Sequence, residues 1–191
     1  LLARPDSRNI LIVGAGTVGH SLRQAYAAAF PDAQFTVWNR TLEGAQAFQG
    51  THQDVAIAHD LAQAVAGADI VACATMSTEP VLKGDWLQPG QHIDLIGAYR
   101  PDMREVDDAA LLRGRVFVDS RETTINYIGE LKIPISQGVI DENHVVADYY
   151  TRDQFQREDA SEITIFKNGG GAHLDLMTSR YILSAWQGAR S

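Results

Sequence analysis

Three glycines in the spacing G-x-G-x-x-G, at Gly14, Gly16 and Gly19, are the residues of this chain best suited to holding a phosphate. Gly14 permits a tight turn, Gly16 lets a pyrophosphate approach the backbone, and Gly19 lets a following helix pack against the preceding strand. The phosphates then meet the free N–H groups at the positive end of the helix dipole. Further on, Asn39-Arg40-Thr41 stands where a dinucleotide site usually carries the acidic residue that holds a ribose 2′-hydroxyl. No carboxylate is present there to repel a 2′-phosphate, and a guanidinium beside a hydroxyl suits one. NADP is therefore favoured over NAD, with NAD still open and Arg40 as a plain solvated charge the alternative. Thr75 and Ser77 follow an apolar run and read as cofactor or substrate contacts, or else as turn-forming hydroxyls.

The elements that must position these residues are legible in the pattern around them. Asn9–Val13 is a short apolar strand before the glycines, and His20–Phe30 is helix-prone after them. Gln34–Trp38 reads as a strand, Leu42–Gln49 as a helix with Thr41 as N-cap, and Asp54–Ile57 as a third strand. Asp60 caps a helix over Leu61–Ala66 that Gly67 is expected to stop, and Asp69–Ala74 is a strand apolar throughout. Gln91–Ile96, a helix over Val106–Arg113, and a strand over Arg115–Val118 ending at Asp119 continue the alternation, with Ser120 capping a further helical stretch. From Gly129 to Asp159 the pattern weakens; Glu162–Phe166 is a late strand with clean alternation. The fold class is α/β, a Rossmann-type doubly wound, mostly parallel sheet with helices on both faces. It is expected over residues 1–168. Gly169-Gly170-Gly171 forms a hinge, and residues 169–191 carry a last amphipathic helix that packs on the same domain or on a further one.

Composition narrows the class. The chain has 191 residues, 45% hydrophobic and 21% charged, ordinary values for a globular domain. A net charge of −8 without a basic cluster argues against nucleic acid as a partner. No apolar run approaches the ~20 residues of a membrane helix, so no membrane partner is expected. The single cysteine, Cys73, lies in an apolar strand and reads as a buried thiol, which fits a reducing, cytoplasmic setting. The six histidines show no ligand spacing, so no metal site is expected. No nucleophile elbow is present. The polar run Tyr99, Arg100, Asp102, Arg104 and Glu105 reads first as a solvated loop, and Asp119 as a helix cap or a contact at the nicotinamide.

Taken together, several segments resemble the ornithine cyclodeaminase/mu-crystallin family. They are residues 1–7, Val13–Gly19, Val37–Thr41, Ala74–Ser77, Gly97–Glu105, Val118–Glu122 and Ile163–Lys167, in order along nearly the whole chain. Asn39-Arg40-Thr41 alone resembles shikimate dehydrogenases and glutamyl-tRNA reductases too; the later segments separate the families. The resemblance implies hydride transfer at a carbon–nitrogen bond: imine reduction, amino-acid oxidation or deaminating cyclisation. It implies that Gly14, Gly16, Thr17, Val18 and Gly19 hold the pyrophosphate, Asn39, Arg40 and Thr41 the adenosine phosphate, and that Thr75, Met76 and Ser77 line the cofactor. The cyclodeaminases carry an Asp acid/base where Tyr99 stands, which argues against ornithine cyclisation, and the Asn-Arg-Thr and Arg-Pro-Asp features resemble more closely the ketimine or pyrroline-2-carboxylate reductases of the family. Ala147–Thr151 also departs from the family's pattern. Members place a substrate and dimerisation domain before the nucleotide domain, and this chain is expected to lack it. It is then a cofactor-binding domain incomplete for catalysis, its amino-acid or cyclic-imine substrate and its homodimer depending on that other domain. A non-catalytic NADP(H)- or ligand-binding protein is the competing class, and a shikimate dehydrogenase- or glutamyl-tRNA reductase-like domain the second alternative.

Overall fold

The first β-α-β unit shows how the sequence builds the frame. In the computed structural model, which describes residues 1–189, β1 (Asn9–Val13) runs into the glycine turn, α1 (Thr17–Ala29) leaves it, and β2 (Gln34–Trp38) pairs with β1 in parallel. The helix starts at Thr17, a turn earlier than His20, because Gly16 itself takes the N-cap position. α2 (Leu42–Thr51), β3 (Val55–Ile57), α3 (Leu61–Gly67) and β4 (Ile70–Cys73) follow. The caps at Thr41 and Asp60 form as the sequence indicates: their side chains accept the N–H groups of Gly44 and Gln63. Gly67 does not act as a left-handed stop; it is the last helical residue, and Ala68 takes the cap.

The second half adds β5 (His92–Leu95), α4 (Asp108–Arg113), β6 (Arg115–Val118), α5 (Arg121–Thr124), α6 (Gly129–Ser136), β7 (Val145–Ala147), β8 (Thr164–Lys167) and α7 (Ala172–Gly188). α4 begins two residues later than Val106, because the carboxylate of Asp107 accepts the N–H of Ala110 and caps it. Ser120 occupies an N-cap position without a side-chain cap bond; the neighbouring Asp119 carboxylate takes the Ser120 N–H instead. The weakly patterned stretch holds a helix and a strand, α6 and β7.

All strand pairings among the described residues are parallel, and the order is β3-β2-β1-β4-β5-β8-β6-β7. β8, last in the chain, is inserted between β5 and β6 rather than added at an edge. It is buried on both faces, so its apparent alternation does not mark an exposed side. α1 and α2 cover one face over Ile10, Ile12, Phe35 and Val37, with Phe48 of α2 buried among them. On the opposite face Val65 of α3, Leu111 of α4 and Leu131 of α6 pack on Leu11, Val71, Ile93 and Ile165. This is the doubly wound architecture. The far end of the first face is closed by Leu2 and Phe155 over Phe117 and Ala147. α7 buries none of its residues against this body; Leu176, Met177, Tyr181 and Ile182 are exposed.

Candidate functional site

The strand order reverses between β1 and β4, so the carboxyl ends of these two strands diverge into a crevice. A cleft of about 410 Å³ lies there. It is lined by Gly14, Ala15 and Gly16 from the turn, Trp38 to Thr41 from the end of β2, Ala74 to Ser77 after β4, and Val81. The structure thus brings together three segments that the sequence singled out separately. Ala15 and Trp38, inside those segments, belong to the lining as well, and so does Val81, which lies outside them.

The turn is shaped by sterics. Gly14 has φ +107°, and a Cβ on it would stand 2.6 Å from the Ala74 carbonyl oxygen, so both conformation and contact require glycine. A Cβ on Gly19 would run into the Gly14 carbonyl oxygen, which makes this glycine a packing residue rather than a lining one. Gly16 differs: a Cβ there meets nothing within 4 Å, and the residue faces the open cleft. Gly16 caps α1 without any side chain, leaving the first-turn N–H groups of Thr17 and Val18 at an unobstructed helix end. An anion fits this cradle on electrostatic as well as steric grounds.

At the end of β2, Asn39 is a bracket. Its Oδ1 accepts the Ala15 N–H at 3.2 Å, and its amide donates to Thr41 Oγ1 at 3.2 Å. Thr41 in turn accepts the Gly44 N–H at 3.3 Å and caps α2. Both residues therefore line the cleft while fixing its shape. Arg40 between them is exposed at the cleft and has no ion-pair partner among the described residues. On the opposite wall Thr75 is half-buried, Met76 is exposed, and the Ser77 hydroxyl donates to the Glu79 carbonyl at 2.6 Å. Tyr99 is exposed and does not line the cleft.

Beneath the wall lies a buried charged group that reading the loop as solvated misses. Arg104 and Glu105 are buried, Glu105 completely. The Glu105 carboxylate accepts from Thr75 N at 2.8 Å, Thr75 Oγ1 at 3.1 Å, Gly97 N at 2.8 Å and Ala98 N at 3.0 Å. Lys167, fully buried at the end of β8, donates to the Leu95 carbonyl at 3.0 Å and stands 3.9 Å from Glu105. Glu130 of α6 accepts the N–H groups of Glu105 and Val106; burial, and then the nearby Glu105 charge, push its pKa up to about 7. The sequence signals for this cluster are the lysine that closes Ile163–Phe166 and the resembling segment Gly97–Glu105. Cys73 is fully buried, and burial raises its thiol well above the ordinary range, which leaves it no nucleophilic part. Asp119 accepts from Ser120 N, Thr124 Oγ1 and the N–H groups of Gly169 and Gly170, so it pins the start of α7. Among the described residues, no group of three or more His, Cys, Asp or Glu converges as a metal site.

With this geometry in place, comparison with known proteins gives the lineage. The model of the ornithine cyclodeaminase/mu-crystallin family matches residues 1–190. The chain belongs to the ornithine cyclodeaminase/mu-crystallin family. It is 50% identical to a Delta(1)-pyrroline-2-carboxylate reductase of Paracoccus denitrificans, over 98% of this chain and 62% of that protein. It is 32% identical to the mouse ketimine reductase mu-crystallin, over 100% of this chain and 59% of that protein. The chain thus spans about three fifths of the length of these relatives. Among solved structures, the Thermococcus litoralis Delta(1)-pyrroline-2-carboxylate reductase in complex with NADH and L-proline matches with a TM-score of 0.81 and 30% identity, covering 88% of this chain and 55% of that one. An archaeal alanine dehydrogenase dimer with bound NAD matches at 0.89 and 26%, covering 100% and 61%.

Proposed function

We propose that this chain is the nicotinamide-dinucleotide-binding domain of an imine reductase, and that the cofactor it takes is NADP(H). The observation that carries the reading is the cleft itself. The glycine turn, Asn39–Thr41 and Thr75–Ser77 meet there around an uncapped helix end, with an unpaired guanidinium and no carboxylate at the end of β2. The cradle fits a pyrophosphate because Gly16 leaves open space where a side chain would stand. In this assignment Gly14, Gly16, Thr17 and Val18 hold the pyrophosphate, with Gly19 keeping α1 close enough for its N–H groups to reach it. Asn39 orients the Ala15 N–H, Arg40 pairs with the 2′-phosphate, Thr41 flanks it, and Thr75, Met76 and Ser77 form the wall along the second half of the dinucleotide. When bound, the nicotinamide supplies or accepts the hydride.

Relatives named for pyrroline-2-carboxylate and ketimine reduction support a cyclic imine carboxylate as substrate class. Tyr99, where cyclodeaminases resemble one another in carrying an acidic residue, supports reduction over deaminating cyclisation. The grip on substrate belongs, in this reading, to the part of the longer relatives that this chain does not span. Assembly as a homodimer and a cytoplasmic setting belong to the same proposal. The former is supported by the dimeric alanine dehydrogenase, the latter by the buried, unpaired Cys73. No helix among the described residues is long and apolar enough to cross a membrane.

Calorimetric titration with NADPH and NADH, repeated on Arg40→Ala, tests the assignment. NADPH is expected to bind more tightly than NADH, and Arg40→Ala to lose about tenfold toward NADPH alone, as for one charge-assisted contact. Unchanged NADPH affinity in Arg40→Ala removes the 2′-phosphate site. No affinity for either dinucleotide removes the function.

A further inference from the structure

The Glu105 carboxylate is fully buried, yet it accepts four hydrogen bonds from Thr75, Gly97 and Ala98, in the two loops that leave β4 and β5 at the cleft. One oxygen holds the N–H and hydroxyl of Thr75, which lines the cleft; the other holds the consecutive N–H groups of Gly97 and Ala98. The two loops touch directly as well, since a Cβ on Gly97 would collide with the Thr75 backbone. From Thr75 the contact passes to the glycine turn: the Ala74 carbonyl stands against the position a Gly14 Cβ would occupy. A buried carboxylate is an expensive way to join two loops, because its desolvation is repaid only by several well-aligned donors and a counter-charge. Here both are present, the four donors and Lys167 at 3.9 Å. Glu130 completes the arrangement by fixing the backbone of Glu105 itself.

We propose that Glu105 is the positioning residue for the nicotinamide half of the cleft, acting through Thr75 and the Gly97–Ala98 loop. The inference rests on the cofactor assignment above. In a doubly wound sheet the two halves of a dinucleotide lie on either side of the switch point. The β2 side carries Asn39–Thr41; the β4–β5 side is the one Glu105 ties together. Glu105 touches no open part of the cleft, so its effect on ligand passes entirely through the loops it spaces.

The test separates the two halves of the ligand. The chain and its Glu105→Gln variant are titrated calorimetrically with NADPH and with 2′-phospho-ADP-ribose, which lacks the nicotinamide half. Gln keeps the shape but turns an N–H2 toward donors that need an acceptor, so the two loops lose their common anchor. NADPH affinity is expected to fall about tenfold, and 2′-phospho-ADP-ribose affinity to stay within about twofold. Backbone hydrogen exchange without ligand is expected to speed up together in residues 74–78 and 96–99. Equal losses for both ligands, or no loss for either, overturn the proposal while leaving the cofactor assignment standing. Failure of the unaltered chain to bind either ligand overturns both. If Glu105→Gln does not fold, Glu105→Asp carries the same comparison, because its shorter reach keeps the charge while releasing one of the two loops.

Discussion

Asp94 of β5 receives a hydrogen bond from the Tyr26 hydroxyl of α1 at 2.8 Å, while its other carboxylate oxygen is buried without a partner. The pair lies on the face that α1 covers, away from the cleft, and it joins helix to strand across the turn unit. Burial dominates its chemistry. It lifts Asp94 from its ordinary 3.8 to about 6, against the opposing pull of the Tyr26 hydrogen bond and the Lys167 charge, and it raises the Tyr26 hydroxyl well above 10.

The sign of the pH dependence follows from that shift. A carboxyl whose folded pKa is raised supports the native state fully below its unfolded pKa, near 4, and loses that support as pH rises through about 6. Above pH 6 the native state therefore bears the whole cost of an ionised, half-satisfied Asp94. Asp94→Asn keeps an oxygen for the Tyr26 hydroxyl and removes the charge. It is expected to match the unaltered chain at pH 4 and to exceed it at pH 8 by about 2–3 kcal/mol. Urea unfolding at the two pH values checks this. Equal stability at pH 8 contradicts it.

How much of this was written plainly in the sequence depends on how local the signal is. β1, the glycine turn, α1 and β2 are specified by neighbours within a few residues, so strand, turn and helix can each be read in place. The position of β8 is not local: nothing within Thr164–Lys167 says that it pairs with β5 on one side and β6 on the other. α6 carries Pro134 inside it, and its buried face is interrupted by Glu130, so its helical period is obscured. Glu105 was hidden for a related reason. Its polar neighbours Arg100 and Asp102 are exposed and pair with each other, and only tertiary packing distinguishes Glu105 from them. The cleft residues other than Val81, by contrast, sit in three short segments that are each recognisable alone.

The His20–His52 contact gives a second pH prediction. The two rings share a hydrogen bond of 2.8 Å between Nδ1 of His20 and Nε2 of His52, and His20 stacks on Phe48 at 4.4 Å between centroids. One ring must accept, so the pair cannot be doubly protonated and keep this bond. Desolvation, then the His20 and Arg23 charges, lower His52 below its ordinary 6.5. Charging His52 is therefore disfavoured in this contact, and the bond is lost only when both rings are protonated. NMR titration is expected to show His52 below 6.5, moving back toward it in His20→Gln. A His52 titration unaffected by His20→Gln rules out the coupling.

Asp119 predicts how α7 is held. Its carboxylate takes the N–H groups of Gly169 at 2.8 Å and Gly170 at 2.9 Å, where Gly170 adopts φ +74°. α7 buries none of its residues, and besides this clamp its first turn meets the body through His173, which stands 3.9 Å from Asp119 and beside the rings of Tyr149 and Tyr150. Asp119→Asn sets an N–H2 against at least one of those donors and is expected to cost about 1–3 kcal/mol locally. Hydrogen exchange is expected to accelerate across residues 169–175 and to remain slow in β1, β4 and β5. Uniform acceleration throughout the sheet instead places Asp119 in the global fold.

Two glycines of the turn, Gly19 and Gly16, make separable predictions, because each lacks a side chain for a different reason. Gly19 is closed off by the Gly14 carbonyl, so Gly19→Ala must push α1 away from the turn. It is expected to cost about 1–3 kcal/mol, as overpacking does, and to lose dinucleotide affinity as a consequence of the displaced helix. Gly16 has a negative φ of −84°, and its Cβ would project into open space at the cleft. Gly16→Ala therefore strains nothing and forfeits only the small advantage of glycine over alanine at an N-cap, about 0.5–1 kcal/mol. Its methyl group stands where the cradle must admit a pyrophosphate, so NADPH affinity is expected to fall at least tenfold in a chain of nearly unchanged melting temperature. Thermal unfolding and calorimetric titration of the two variants side by side decide the matter. If Gly16→Ala binds NADPH as the unaltered chain does, the open face of the turn is not where the phosphates lie, whatever Gly19→Ala does to the fold.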